Sequence, residues 1–267
     1  MSATSPLLPV QPVRPIAPYI GGKRNLARRL CSLIEATPHD VYAEVFVGMA
    51  GVFFRRDRRP RVEVINDWSA DVVNLFRCMR AHPGALCDLI ALQLYARDDF
   101  DMAMRQDPET LTDLQRAARF VYLQKSAFGG KVSGRNFGMA KTRPARFRPS
   151  EVGEELIAAA RRLEAVSIER LPWSEFIARY DQPGILFYLD PPYYGCEDDY
   201  GPDMFGRHEF AAMAEQLAGI KGRFILSLND RPEVREIFAR FSIETVGTHY
   251  GLAGKGAQAA GEVIITG

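Results

Sequence analysis

Residues 184–193 read Gly184-Ile185-Leu186-Phe187-Tyr188-Leu189-Asp190-Pro191-Pro192-Tyr193. The apolar run 185–189 has the length of a single strand and no polar alternation, the mark of a strand buried on both faces. Such strands belong to parallel sheets covered by helices, where ligands bind beyond the strands' carboxyl ends. An acid, two prolines and an aromatic at that point form a rigid wall. Each proline fixes φ and removes an N–H donor, while its carbonyl remains an acceptor. Asp190 and a neighbouring carbonyl thus offer two acceptors to one exocyclic amino group, and Tyr193 offers a flat face to a ring.

Other short runs of strand length recur at 41–46, 61–65, 166–170, 223–228, 242–248 and 262–266. Helical spacing separates the runs: Leu26, Leu30, Leu33 and Ile34, then Val72, Val73, Leu75, Phe76 and Met79. Further helices are expected near 84–97, 112–124, 151–164, 207–220 and 232–239. About seven strands alternating with helices define an α/β fold with a mostly parallel sheet. The stretch 77–165 is too long for a simple crossover and reads as a helical and loop insertion. The domain is therefore expected to comprise 18–76 and 166–267. A leader, 1–17, precedes it, with prolines at every third position from Pro6 to Pro15. That spacing fits an extended arm.

The 267 residues are 47% hydrophobic and 25% charged, with 34 Lys+Arg against 33 Asp+Glu. A net charge of +1 excludes a uniformly polybasic chain and an acidic disordered one. The charge is polarised, however. Segment 125–148 holds seven of the basic residues and no acid, which leaves the rest at −6. Such asymmetry points to a docking surface for an anion. Cys31, Cys78, Cys87 and Cys196 form no C-x-x-C pair, and the four His are scattered, so neither a zinc site nor a disulfide framework is expected. The longest uncharged apolar run, 45–54, is too short to span a bilayer. Without a charged start and apolar core, no signal peptide is read, and a reducing cytoplasm is the expected compartment.

Three further segments carry chemistry. In Ala43-Glu44-Val45-Phe46-Val47-Gly48-Met49-Ala50-Gly51, a strand runs into small residues that let a ligand approach the backbone closely. It lacks the glycine fingerprint for a pyrophosphate, which a cofactor without phosphates would not need. In Val64-Ile65-Asn66-Asp67, an acid lies just past the second strand and about 20 residues after the glycine turn. That position suits ribose hydroxyls, although the acid could equally cap the next helix. Pro18-Tyr19-Ile20-Gly21-Gly22-Lys23 leads into the first helix and adds a cation.

In this order, the four segments resemble the adenine-specific DNA methyltransferases that use S-adenosylmethionine. More narrowly, they resemble the group of GATC-type deoxyadenosine methylases and their phage relatives. The resemblance covers about residues 18–267. It implies a Rossmann-like methyltransferase fold in which 77–165 is the target-recognition region. Tyr19, Lys23, Phe46, Gly48, Asp67 and Asp190 would hold the cofactor, and Asp190, Pro191, Pro192 and Tyr193 would grip the target adenine. The family usually carries Pro where this chain has Val45, and often Trp where it has Tyr19. The loop 251–261, with Lys255 and Gln258, also departs from its pattern.

These expectations describe a site-specific enzyme acting on double-stranded DNA as a monomer, with no metal and no membrane. The target base is flipped from the duplex at a cost of a few kcal/mol. Lys125, Lys131, Arg135, Lys141, Arg143 and Arg146 would contact DNA, and Phe128 and Phe137 could wedge at the vacated base. Because the basic segment lies outside the glycine turn, cofactor affinity is expected not to depend on it. The alternatives are an N4-cytosine methyltransferase, usually marked by Ser in place of Asp190, a DNA-binding relative that has lost catalysis, and an RNA methyltransferase. The recognition sequence and the biological role, whether restriction partner, phage modification or housekeeping, stay open.

Overall fold

The computed structural model describes residues 6–19, 21–23, 25–139, 142, 144–197, 205–247 and 261–267. The chain opens with β1 (Leu8–Pro9) and α1 (Ala27–Ala36), then β2 (Val41–Glu44), β3 (Arg58–Arg59) and β4 (Val62–Asn66). Five helices follow: α2 (Ala70–Ala81), α3 (Pro83–Ala91), α4 (Arg97–Arg105), α5 (Asp113–Ser126) and α6 (Pro149–Arg162). The remainder is β5 (Val166–Glu169), α7 (Trp173–Tyr180), β6 (Ile185–Leu189), α8 (Glu209–Ala218), β7 (Arg223–Asn229), α9 (Pro232–Ile237), β8 (Ser242–Val246) and β9 (Glu262–Thr266).

Among the described residues, seven strands form one sheet in the order β5-β4-β2-β6-β7-β9-β8. The first five are parallel, and β9 runs antiparallel between β7 and β8. The chain leaves β2 toward β4 and later returns to β2's other side as β6. The topological switch point therefore lies between β2 and β6, where a ligand crevice is expected.

Alternation along the strands sorts the side chains into two layers. Tyr42, Ile65, Leu186 and Tyr188 join a core beneath α1–α6, whereas Ala43, Val45, Val64 and Phe187 join one beneath α7–α9. The helices begin where the sequence provides partners for free N–H groups. Ser69 caps α2, Thr112 and Gln115 form a capping box on α5, and proline starts α3, α6 and α9.

Three boundaries differ from the sequence reading. The leader is tied to the body: Leu8 pairs with Arg59, Val13 N–H donates to Phe54 O at 2.8 Å, and Ile16 and Ala17 are buried. Stretch 77–165 begins inside α2, and its Leu86, Phe100, Phe120 and Leu156 belong to the same core as the sheet. The helix expected at 84–97 stops at Ala91, and a separate helix, α4, begins at Arg97. The Tyr122 hydroxyl, 2.8 Å from Leu94 O and 3.1 Å from Ala96 O, satisfies the carbonyls at the break.

At the opposite rim from the crevice, Glu63 is gripped by two guanidiniums. Arg162 Nη1 and Nη2 donate to it at 2.6 and 2.7 Å, and Arg56 Nη2 also donates. All three side chains are buried, and the cations lie over aromatic rings, Arg56 on Tyr42 at 3.7 Å and Arg162 on Phe53 at 4.0 Å. Among the described residues, no helix is long and apolar enough to cross a membrane, and no group of three or more His, Cys, Asp and Glu could hold a metal.

Candidate active site

A cavity of about 330 Å³ opens at the carboxyl ends of β2, β4 and β6. It brings together all six residues expected on the cofactor side: Tyr19, Lys23, Phe46, Gly48, Asp67 and Asp190. Its size is that of a small-molecule site.

The turn after β2 forms its floor. Gly48 has φ +49°, and a Cβ there would lie 3.0 Å from the Tyr19 ring, so both conformation and space require glycine. The Gly48 N–H donates to Asp67 Oδ2 at 2.8 Å, and the Ser69 N–H donates to Asp67 Oδ1 at 2.9 Å. Asp67 thus ties the turn to the end of β4, while Ser69 caps α2. Burial pushes the Asp67 carboxyl up to about 6 against these stabilising backbone donors. Asn66 fixes the strand end from beneath, donating to Val45 O at 3.0 Å and accepting from Leu171 N at 2.9 Å. Val45 itself is buried on the far face, and its N–H donates to Tyr188 O at 2.9 Å, a ladder bond that proline could not make.

Asp190 stands at the end of β6 with a fifth of its side-chain surface exposed. Lys23 Nζ lies 2.6 Å from Asp190 Oδ1, donates to the Tyr193 hydroxyl at 2.9 Å, and is itself buried. Burial raises the Asp190 carboxyl to about 6, while the Lys23 charge and hydrogen bond pull it down. Pro191 and Pro192 are buried, and Tyr193 is half-buried.

Residues that the sequence reading passed over complete the site. Ser227 Oγ donates to Asp190 Oδ1 at 3.3 Å and also meets the Tyr188 hydroxyl at 3.0 Å. Asn229 bonds the next peptide from both sides, accepting from Tyr194 N and donating to Tyr194 O, each at 2.9 Å. Ser227 interrupts the apolar run of β7 and Asn229 ends it, and that polar pair was the available signal. Glu44, Trp68 and Phe205 also line the cavity. Burial lifts the Glu44 carboxyl to about 8, although the Tyr42 hydroxyl donates to it at 2.7 Å.

The basic segment divides. Lys125 is paired with Glu155 at 2.6 Å, and Arg135 donates to Gln124 Oε1 at 2.9 and 2.7 Å, so neither is an unengaged surface cation. Lys131 and Arg146 are exposed. Phe137 packs against Tyr95 and Phe100, which removes it as a wedge, whereas Phe128 is 62% exposed with Arg146 over its ring. Lys141 and Arg143 lie outside the described residues, as do Lys255 and Gln258. The segment is also not remote from the cavity. Val132 lines it, and Gly130 is pressed against Pro18 so closely that a Cβ would be 2.9 Å from Pro18 C. The segment thus contributes to the cavity wall, although it lies outside the glycine turn.

The profile of the family described as "D12 class N6 adenine-specific DNA methyltransferase" matches residues 19–252. The chain is 25% identical to the type II methyltransferase M1.LlaDCHI of Lactococcus lactis subsp. cremoris, across 88% of this chain and 87% of that protein. It is 24% identical to the type II methyltransferase M.CviBI of Paramecium bursaria Chlorella virus NC1A, across 85% and 86%. The DNA N-6-adenine-methyltransferase of Escherichia phage P1 is also 24% identical, across 90% of this chain but 34% of the longer phage protein.

Proposed function

The chain belongs to the D12 class of N6 adenine-specific DNA methyltransferases, and from that membership we propose how its residues divide the reaction. The enzyme methylates adenine in DNA and takes the methyl group from S-adenosylmethionine. When bound, that cofactor supplies a methyl group on a positively charged sulfur.

The cavity suits it. Asp67 offers an acceptor for ribose hydroxyls at one end, Trp68 offers a flat face to a purine, and the bare Gly48 backbone admits close approach. The turn's N–H is spent on Asp67 rather than aimed at an anion, in keeping with a ligand that has no phosphates.

Asp190 and the Pro191 carbonyl accept the two N6 hydrogens of a flipped adenine. The amine lone pair is otherwise delocalised into the ring and nucleophilically weak. Acceptors on both hydrogens favour the pyramidal amine and stabilise the positive charge that develops on nitrogen. Stacking on Tyr193 returns part of the flipping cost, at ~1–3 kcal/mol per base. Lys23 keeps Asp190 ionised and holds Tyr193 in place, and Ser227 and Asn229 fix the loop from β7. Positioning of the two reactants does the rest. Lys131, Phe128 and Arg146 form the duplex-facing side, the first on phosphate and Phe128 at the gap left by the base. One chain holds both acceptor and cofactor residues, so a monomer on double-stranded DNA suffices.

The observation that carries this assignment is an acid at the end of β6 that is partly exposed within the cavity beside Lys23. The test is incubation of DNA with enzyme and labelled S-adenosylmethionine, followed by nucleoside analysis and sequencing of modified positions. N6-methyladenine at one recurring sequence is the expected result. N4-methylcytosine would overturn the target assignment, and cofactor binding without transfer would identify a catalytically inactive relative.

A further inference from the structure

Outside the cavity, one buried side chain joins three segments that lead to it. Gln124 on α5 is fully buried. Its Nε2 donates to Pro18 O at 3.2 Å and to Gly130 O at 3.3 Å, and its Oε1 accepts from Arg135 Nε at 2.9 Å and Nη2 at 2.7 Å. Two donated and two accepted bonds use the whole capacity of a primary amide. A buried polar group satisfied in this way fixes its neighbours relative to one another.

Each neighbour reaches toward a ligand. Pro18 precedes Tyr19, and the Tyr19 ring covers Gly48 of the cofactor turn. Gly130, at φ +68°, belongs to a loop closed by Phe128 N–H to Asn136 O at 2.8 Å and Gly138 N–H to Ser126 O at 2.7 Å. That loop shows Phe128 and Lys131 to solvent and Val132 to the cavity. Arg135 also donates to Lys131 O at 3.1 Å, so the carbonyl of the exposed lysine is tied to the same cluster. Packed contacts thus run without a break from the outer loop through Arg135, Gln124, Pro18 and Tyr19 to Gly48.

We propose that Gln124 and Arg135 are positioning residues that couple DNA docking on the loop to the shape of the cofactor pocket, so that each ligand tightens the other's binding. The proposal rests on the assignment of the cavity to cofactor and the loop to DNA. DNA held at Lys131 and Phe128 stiffens the loop, and the Gln124 amide transmits that order to the Pro18–Tyr19 wall. Linkage requires the effect to be reciprocal.

The experiment is calorimetry with S-adenosylhomocysteine, alone and with saturating duplex carrying the mapped methylation site. In the wild-type enzyme, DNA should tighten S-adenosylhomocysteine by a factor on the order of 5–150, and S-adenosylhomocysteine should tighten DNA by the same factor. In Gln124→Leu and Arg135→Met, that factor should fall toward 1. Arg135→Met leaves the Gln124 bonds to Pro18 and Gly130 in place, so it decides the question if Gln124→Leu does not fold. A wild-type factor of 1, or a folded Arg135→Met that keeps the wild-type factor, would overturn the coupling. So would equal weakening with and without DNA, the signature of a purely structural role. If wild-type enzyme bound no S-adenosylhomocysteine at all, the cofactor assignment would fail and the coupling with it, whereas binding without coupling removes only the coupling.

Discussion

Two buried ion clusters occupy opposite rims of the sheet, and they differ in what surrounds the acid. Glu63 is fully enclosed; Arg162 bonds both its oxygens and Arg56 shares Oε1. Asp190 keeps a fifth of its side chain open to the cavity and shares one oxygen between Lys23 and Ser227. Both are acids beside cations in low-dielectric surroundings. The enclosed one has its acceptor capacity consumed by the protein, while the open one retains capacity for a ligand. Pairing therefore does not separate structural from chemical acids, but unused acceptor geometry facing a cavity does.

The comparison makes its largest claim on stability. Glu63→Gln leaves two buried guanidiniums short of a charge, and breaking such a cluster costs about 3–5 kcal/mol. Urea unfolding should show that loss, and the folded fraction should keep its S-adenosylhomocysteine affinity. A loss under about 1 kcal/mol would make the triad incidental.

Asp190→Ala should behave in the opposite way. Transfer should fall by a factor on the order of 10²–10³ or more, the scale for removing one group that stabilises developing charge. Fold and DNA binding should persist, because Lys23 still has Glu262 at 3.9 Å. A folded mutant with more than a few per cent activity would break the assignment. In the wild type, Asp190 must be ionised to accept a proton donor, so at saturating cofactor the rate should drop as pH falls through about 6. Lys23 lowers the Asp190 pKa, so Lys23→Met should move this acid limb to higher pH. A limb left in place would remove Lys23 from that role.

Asp67→Ala deletes an acceptor at the cavity, the anchor of the turn at Gly48 and the bond to Ser69 N–H. Cofactor affinity should weaken by about 1.5–3 kcal/mol, the range for hydrogen bonds to a charged group. An unchanged dissociation constant would leave Asp67 as a tie between turn and strand.

The smallest effect separates free from consumed cations on the DNA side. Lys131→Ala should flatten the log–log salt dependence of DNA binding by roughly 0.9, one phosphate contact. Lys125→Ala, which removes a partner of Glu155, should leave that slope alone. Equal changes would mean that the Glu155 pair opens on DNA.

The sheet's centre was legible because buried parallel strands such as β2 and β6 must be apolar, and each expected run lies within a residue or two of its strand. The motifs were legible because they are local: acid, prolines and aromatic follow one strand, and the glycine turn follows another. What could not be read depends on distant partners. Arg135 looks like any loop arginine until Gln124 is placed beside it, and Phe137 resembles Phe128 until Tyr95 and Phe100 cover it. The break between α3 and α4 is invisible without Tyr122, whose hydroxyl reaches the carbonyls of Leu94 and Ala96 in the connection. The 77–165 stretch read as an insertion by length alone, yet its apolar faces share the sheet's core.

The place of β9 sets the order of assembly during synthesis. Among the described residues, β8 pairs only with β9, so it waits without a partner until β9 has left the ribosome, and β7 presents a bare edge for the same interval. Glu262, beside Lys23, arrives on that strand. A nascent chain can therefore gather the β2–β4–β6 crevice early, but the rim at Lys23 closes only with the strand made after all its neighbours. Incompletely synthesised copies are consequently exposed to edge pairing and aggregation before they can modify any DNA.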